Sequence, residues 1–320
     1  MRLKKRAIVL LGITVVVAAF FITSRIRPPE VVYVAFDTAQ PVHQPSAIPL
    51  VPRYRSQIND TGYLKLVNRQ LAVNSPIDPS QMVDAWPTVP VRATDITLHP
   101  TALNAVSALF YEGQDVGSFF VTSGFRDFYR QQELYVEAYN HLYVLPAGHS
   151  EHQLGLAADI LIMGVPMDQM SGRADTLWLQ QNAWRHGLIH RYPYDMTHIT
   201  GVAYEPWHFR YVGRVHAWYM HEHRMVLEEY LEHLEANEHI SVAIDGVIYH
   251  VLYQRFAGVQ LYVPQNMEFI VSASNRGGYV ITAWEKNGHF ARPGGSFARL
   301  CIAGYGAEPH WNGVIVCITF

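Results

Sequence analysis

The sequence is poor in cysteine and in net charge, and it lacks the motifs of several common hydrolases. It holds two cysteines and a formal net charge of −3 with histidine neutral, so no broad basic surface for nucleic acid is predicted. It contains no Ser-x-x-Lys, Gly-x-Ser-x-Gly, His-Glu-x-x-His or Cys-x-x-Cys. His221-Glu222-His223 fails the helical zinc motif because residue 225 is Met. The missing Ser-x-x-Lys argues against the chemistry of penicillin-sensitive serine carboxypeptidases.

The first sixty residues predict a membrane anchor and a stalk. A basic cluster at residues 2–6 precedes an apolar run over residues 7–23, which as a helix spans roughly 26 Å, enough for a hydrocarbon core. The positive-inside rule leaves the N-terminus cytoplasmic and the rest of the chain outside. We predict a cytoplasmic tip and an uncleaved anchor over residues 1–27, with a cleaved signal peptide as the alternative. Residues 28–60, rich in Pro, Gln, Val and Ser, predict an extended stalk.

The rest of the chain predicts a mixed helix and strand domain over residues 61–236 and a small all-β module over residues 237–320. Helical periodicity predicts four helices in the first part, over residues 101–111, 127–141, 175–184 and 214–236. Apolar runs predict strands over residues 119–121 and 156–163, and short strands with turn signals follow residue 237. Cys301 and Cys317 suit a disulfide in an oxidising compartment, or equally two buried thiols.

Two segments hold a candidate metal site. Asp159 interrupts an apolar strand, where an unpaired charge is costly, so it should be paired or metal-bound. His152 lies seven residues upstream, and Gly155 permits a turn that brings the two side chains together. Glu205 and His208 are three residues apart, so that one can ligate a metal while the other reaches its water. Spacing alone leaves a salt-bridged Asp and a packed His as open alternatives.

These residues resemble the VanY-type D-alanyl-D-alanine carboxypeptidases, zinc peptidases related to VanX. The family pattern Ser-x-His-x-x-Gly-x-Ala-x-Asp is matched by Ser150, His152, Gly155, Ala157 and Asp159. Its Glu-Pro-Trp-His is matched by residues 205–208, and further matches extend the resemblance from about residue 61 to residue 284.

The resemblance implies an α+β fold, with helices packed on a small antiparallel sheet that carries the zinc site, followed by the β module. It implies that zinc is the cofactor and that His152, Asp159 and His208 are its ligands. Glu205 is then the general base, and Arg126 stabilises the oxyanion, unless Arg126 forms a structural ion pair with Asp127 or another acid. Substrate contacts are expected from two side chains, for which a turn cap and a solvated helix position are the respective alternatives: Ser150 and Gln131.

The expected reaction is hydrolysis of the terminal D-Ala–D-Ala bond of peptidoglycan pentapeptide stems at a bacterial cell membrane, with the catalytic domain outside. Such a reaction should be insensitive to penicillin, and it suggests a link to glycopeptide resistance. The alternatives are a D,D-dipeptidase or a peptidoglycan endopeptidase with the same chemistry, and a non-catalytic wall-binding protein that keeps zinc for structure.

Overall fold

The computed structural model describes residues 48–73, 77–244, 247–256, 258–285, 299–302 and 316–319. Its helices are α1 (Pro100–Glu112), α2 (Phe128–Glu137), α3 (Ala174–Asn182), α4 (Thr197–Thr200), α5 (Arg214–His223) and α6 (Leu227–Asn237). Its strands are β1 (Leu50–Tyr54), β2 (Val83–Asp84), β3 (Thr97–Leu98), β4 (Phe119–Ser123), β5 (Ala157–Ile162), β6 (Leu188–His190), β7 (His208–Tyr211), β8 (His239–Ile244), β9 (Val247–Arg255), β10 (Gln260–Pro264), β11 (Met267–Ala273), β12 (Gly278–Glu285), β13 (Arg299–Ile302) and β14 (Val316–Thr319).

A four-stranded antiparallel sheet carries the site, in the strand order β4-β5-β7-β6. Every residue of β5 is buried, which explains its nearly continuous apolar sequence. Helices α1 and α3 cover one face through a core that includes Val106, Leu109, Ile160, Leu179 and Phe209. The predicted arrangement of helices on a small antiparallel sheet is therefore confirmed.

The prediction of one long helix over residues 214–236 is wrong, because two helices fill this span. Arg224 has φ 54°, and its left-handed conformation ends α5 before α6 begins at Leu227. The break lets residues of both helices, among them Met220 and Tyr230, pack into the same core.

The C-terminal all-β module is also confirmed, as a four-stranded sheet in the order β11-β12-β9-β8. Val251 and Val280 of this sheet share a core with Leu231 of α6. Residues 42–288 accordingly form one compact unit.

The predicted stalk does not extend to residue 60. Strand β1 pairs antiparallel with β10, an edge whose backbone groups would otherwise lack a strand partner. Asp60 then accepts hydrogen bonds from the amides of Gly62 and Ala273, both with N···O distances near 3 Å. The end of this segment therefore belongs to the folded unit.

Strands β13 and β14 pair in the second unit of the chain, which comprises residues 1–41 and 289–320. Their backbone register places Cys301 opposite Cys317, and the disulfide stays a prediction. The predicted anchor over residues 1–27 lies outside the described residues. Among the residues that the structure does describe, no helix has the length and apolar character needed to cross a membrane.

Candidate metal and catalytic site

Strand register brings two of the predicted metal ligands together. Asp159 in β5 is the direct cross-strand partner of His208 in β7 and, on the other side, of Ser123 in β4. The register of β4 shifts between Val121 and Ser123, an irregularity typical of strands near active sites. The His208 Nδ1–H donates to Asp159 Oδ1 over 3.0 Å.

The third predicted ligand arrives from a short 3₁₀ helix at residues 151–154. Gly155 follows with φ 69°, and this left-handed turn leads directly into β5. The His152 Nδ1–H donates to the carbonyl of Gly124 at 2.6 Å, which leaves Nε2 facing Asp159 Oδ2 at 3.3 Å. The turn that the sequence predicted at Gly155 is thus confirmed, and it is the feature that places His152 beside Asp159.

Replacing Gly155 with alanine is expected to lower the free energy of unfolding by about 1–2 kcal/mol, the cost of a left-handed conformation for a residue with a Cβ. The added Cβ would also meet the Met82 side chain. Urea unfolding of this variant measures the loss, with Gly258→Ala as the control, because a Cβ at residue 258 meets open space without a positive φ. Equal unfolding free energies for the two variants would show that the turn imposes no such constraint.

The ligand atoms of His152, Asp159 and His208 all lie within 4.8 Å of one another, and all three side chains are buried. Two imidazole nitrogens and one carboxylate oxygen form a donor set that suits zinc. Three protein ligands are typical of a catalytic rather than a structural zinc site. The residues present therefore fit the metal that the resemblance implies.

The electrostatics of the cluster agree with this donor set. Burial, with the Arg126 charge, lowers the pKa of His152 to about 4, so its imidazole is neutral near pH 7, as a metal ligand must be. Burial alone would raise the pKa of Asp159, but His152 and His208 outweigh it and hold this pKa well below its usual range. Asp159 is therefore a carboxylate at neutral pH.

Glu205 lies beside the cluster, on the loop before β7. Its Oε2 is 3.6 Å from His208 Nδ1, and its side chain is buried. The loop is fixed by its backbone, since the Glu205 amide donates to the Tyr192 carbonyl and His190 Nε2–H donates to the Glu205 carbonyl. Burial raises the pKa of Glu205 to about 8, against the opposing charge of His208. A carboxyl with a pKa near neutrality is suited to accept a proton and return it.

Arg126 also reaches the cluster, but through an ion pair. Its Nη2 lies 3.0 Å from Asp159 Oδ2, which corresponds to the alternative of a structural pair with an acid other than Asp127. The guanidinium is further held by Ser123, whose Oγ accepts from Nε, and by Gln131, whose Oε1 accepts from Nη1. Three fixed contacts therefore orient the cation at the edge of the site.

The two predicted substrate contacts differ in their surroundings. Gln131 is fully buried and donates to the Leu145 carbonyl, so it is not a solvated helix residue; it supports Arg126 instead. Ser150 precedes the 3₁₀ helix, but its side chain does not cap it. Its role as a substrate contact stays a prediction.

Sequence reasoning missed Glu151, which lies within the matched motif. Its carboxylate is completely buried between Arg191 and Arg210, with N···O distances of 2.8 and 2.9 Å, and 3.6 Å from His208. The two arginines lie in segments that the resemblance already matched, but nothing in their spacing shows that they converge on Glu151. Only the fold brings them together.

Comparison with known proteins agrees with this geometry. A family model described as VanY, D-alanyl-D-alanine carboxypeptidase, matches residues 95–214. The chain is 39% identical over 175 residues to a D-alanyl-D-alanine carboxypeptidase of Enterococcus faecium, covering 54% of this chain but only 56% of that protein. It is 32% identical over 185 residues to the bifunctional D-Ala-D-Ala dipeptidase and carboxypeptidase VanXYC of Enterococcus gallinarum, covering 53% of this chain and 94% of that protein.

A solved structure shares the fold. It is the vancomycin-resistance D,D-dipeptidase VanXYg in complex with a D-Ala-D-Ala phosphinate analogue, with a TM-score of 0.65 and 24% identity. The alignment covers 75% of this chain and 100% of that one. Together with the VanXYC match, these similarities show that the chain belongs to the VanY family of D-alanyl-D-alanine carboxypeptidases.

Proposed function

We propose that this protein is a zinc-dependent D,D-carboxypeptidase that removes the terminal D-alanine from peptidoglycan pentapeptide stems. The observation that carries the proposal is the buried convergence of His152, Asp159 and His208, with the Glu205 carboxyl beside them. A wall-binding protein that kept zinc only for structure would not need a buried, unpaired carboxyl next to the ligands. Family membership supplies the substrate class.

His152, Asp159 and His208 would hold the zinc ion. When bound, zinc would supply Lewis acidity, lowering the pKa of a water and polarising the scissile carbonyl.

Glu205 is the general base of the proposed reaction. Its carboxylate takes a proton from the attacking water and passes it to the amine nitrogen of the departing D-alanine as the peptide bond breaks. The two backbone hydrogen bonds of the Glu205 loop hold the carboxyl in place, so little reorganisation is needed when the proton moves. Proton and leaving group therefore balance on one residue.

Arg126 stabilises the negative charge that develops on the carbonyl oxygen. Ser123 and Gln131 hold its guanidinium independently of Asp159, so the cation stays at the site while Asp159 serves as a ligand. A fixed cation is most effective in such a shielded environment. Ser150 lies at the entrance of the ligand-bearing 3₁₀ helix, where its free hydroxyl is available to the peptide.

The proposed substrate lies outside the cytoplasmic membrane, which agrees with the predicted anchor and stalk. On this proposal the protein is a single-pass protein of the bacterial cell membrane, and trimming of D-alanine would reduce the binding of vancomycin-type antibiotics. Neither a role in resistance nor the anchor follows from the site geometry itself.

A second candidate function is D,D-dipeptidase activity. The specific observation in its favour is the match over 94% of the bifunctional VanXYC protein. Both activities use the same proposed zinc chemistry, and they differ in whether a free dipeptide or the end of a longer stem enters the cleft.

Product analysis separates these functions. The full-length chain is incubated with a muramyl pentapeptide ending in D-Ala-D-Ala, with the matching tetrapeptide, and with free D-Ala-D-Ala, each with and without penicillin. The proposal predicts loss of a single alanine from the pentapeptide, no reaction of the tetrapeptide, and no effect of penicillin. Cleavage of the free dipeptide alone would establish a dipeptidase, and cleavage inside the stem would establish an endopeptidase.

A further inference from the structure

Two buried polar atoms face each other behind the candidate metal site. His208 Nε2 and Glu151 Oε2 are 3.6 Å apart, just beyond hydrogen-bond distance. Neither atom has a hydrogen-bond partner among the residues that the structure describes. Buried polar atoms almost always have a partner, so an unsatisfied pair in contact calls for an explanation.

The Glu151 carboxylate is divided between two tasks. Its Oε1 contacts both buried arginines, Arg191 through Nε at 2.8 Å and Arg210 through Nη1 at 2.9 Å. This leaves Oε2 directed toward His208. Burial would raise the pKa of Glu151, but the two guanidinium charges outweigh it and keep this pKa well below its usual range, so the group is charged.

The arginines themselves cannot easily move. Arg191 forms a two-pronged pair with Glu228 of α6, with N···O distances of 2.8 and 2.7 Å. Arg210 donates through Nη2 to the carbonyls of Tyr63 and Lys65. Both guanidinium groups are fully buried. The orientation of the Glu151 carboxylate is therefore set from several sides.

We propose that Glu151 is a positioning residue for His208: it accepts the Nε2–H of the imidazole, so that Nδ1 is the nitrogen presented to the metal. The geometry supports this division, because Nδ1 faces Asp159 Oδ1 at 3.0 Å and Glu205 Oε2 at 3.6 Å, on the side of the cluster. Metal-binding histidines generally donate their other ring N–H to a carboxylate or carbonyl, which fixes the ring and the tautomer. His152 follows the same rule through the Gly124 carbonyl. The inference rests on the proposed metal site.

Glu228 provides a matched control within the same network. It is also buried and also pairs with Arg191, but its other contact is Asn68, and it touches none of the three proposed ligands. Loss of either carboxylate charge should destabilise the fold by leaving arginine charge uncompensated. Only loss of Glu151 should alter the metal site.

The test measures zinc affinity of the full-length chain by chelator competition, beside thermal unfolding, for the wild type, Glu151→Gln, Glu151→Asp and Glu228→Gln. We expect the zinc dissociation constant to rise about 10- to 100-fold for both Glu151 variants, the usual effect of removing such a partner. Glu228→Gln should bind zinc as the wild type does. Glu151→Asp keeps the charge between the two arginines but withdraws the carboxylate from His208, so it remains informative if Glu151→Gln does not fold.

Cobalt substitution supplies a spectroscopic readout that does not depend on turnover. The visible spectrum of bound Co²⁺ should change for the Glu151 variants and stay unchanged for Glu228→Gln. Unchanged zinc affinity in the Glu151 variants, or equal weakening in Glu228→Gln, would overturn the positioning role. A wild-type chain that binds no zinc would instead contradict the proposed function itself, so the two failures are distinguishable.

Discussion

Replacing Glu205 with glutamine is expected to reduce kcat for D-alanine release by about 10²- to 10⁴-fold, the usual contribution of a positioned general base. Glutamine keeps the shape of the side chain but cannot accept the proton of the attacking water. The carboxyl is not among the three converging ligand side chains, so the variant should still bind one equivalent of zinc. Steady-state release of D-alanine from a muramyl pentapeptide measures the effect.

Glu222→Gln is the matched control, because Glu222 is an exposed residue of α5. Its kcat should equal that of the wild type. If Glu205→Gln retained kcat within a few-fold while its zinc content was unchanged, another group would have to be the base. If it lost zinc as well, Glu205 would have to be counted among the groups that hold the metal.

Replacing Asp159 with asparagine is expected to remove zinc and to abolish D-alanine release, with a loss of about 10³-fold or more. The physical reason is that a neutral amide oxygen is a much weaker donor than the carboxylate that burial and two histidines keep charged. Lewis-acid stabilisation by a metal is worth several kcal/mol, and each 1.36 kcal/mol is tenfold in rate. Zinc content after gel filtration and the rate of D-alanine release are measured on the same sample.

Asp175→Asn serves as the control for this substitution. Asp175 pairs with Arg173 at 2.8 Å and lies outside the cluster. The control should retain zinc and activity. An Asp159→Asn protein with stoichiometric zinc and wild-type activity would show that the proposed ligand set is wrong.

The sequence predicted the candidate site better than it predicted the boundaries of the fold. An acid in an apolar strand and two motif histidines were sufficient to select Asp159, His152 and His208. Motifs name the residues but do not supply register, so the direct pairing of Asp159 with His208 came only from the structure.

Features that depend on tertiary contacts could not be predicted in this way. The left-handed conformation of Arg224 divides a continuous helical pattern, because both halves gain by packing on one core. Strand β1 looked like stalk because its partner, β10, lies about two hundred residues away in sequence. For the same reason, the convergence of Arg191 and Arg210 on Glu151 had no local signal.

The most direct test of the central claim is a chelation and restoration experiment on the full-length chain with the muramyl pentapeptide. Zinc content and released D-alanine are followed together while zinc is removed and then returned. The account predicts that release of one D-alanine per stem disappears with the metal and is restored by about one equivalent of zinc. Undiminished release from zinc-free protein, or no release from fully loaded protein, would contradict it.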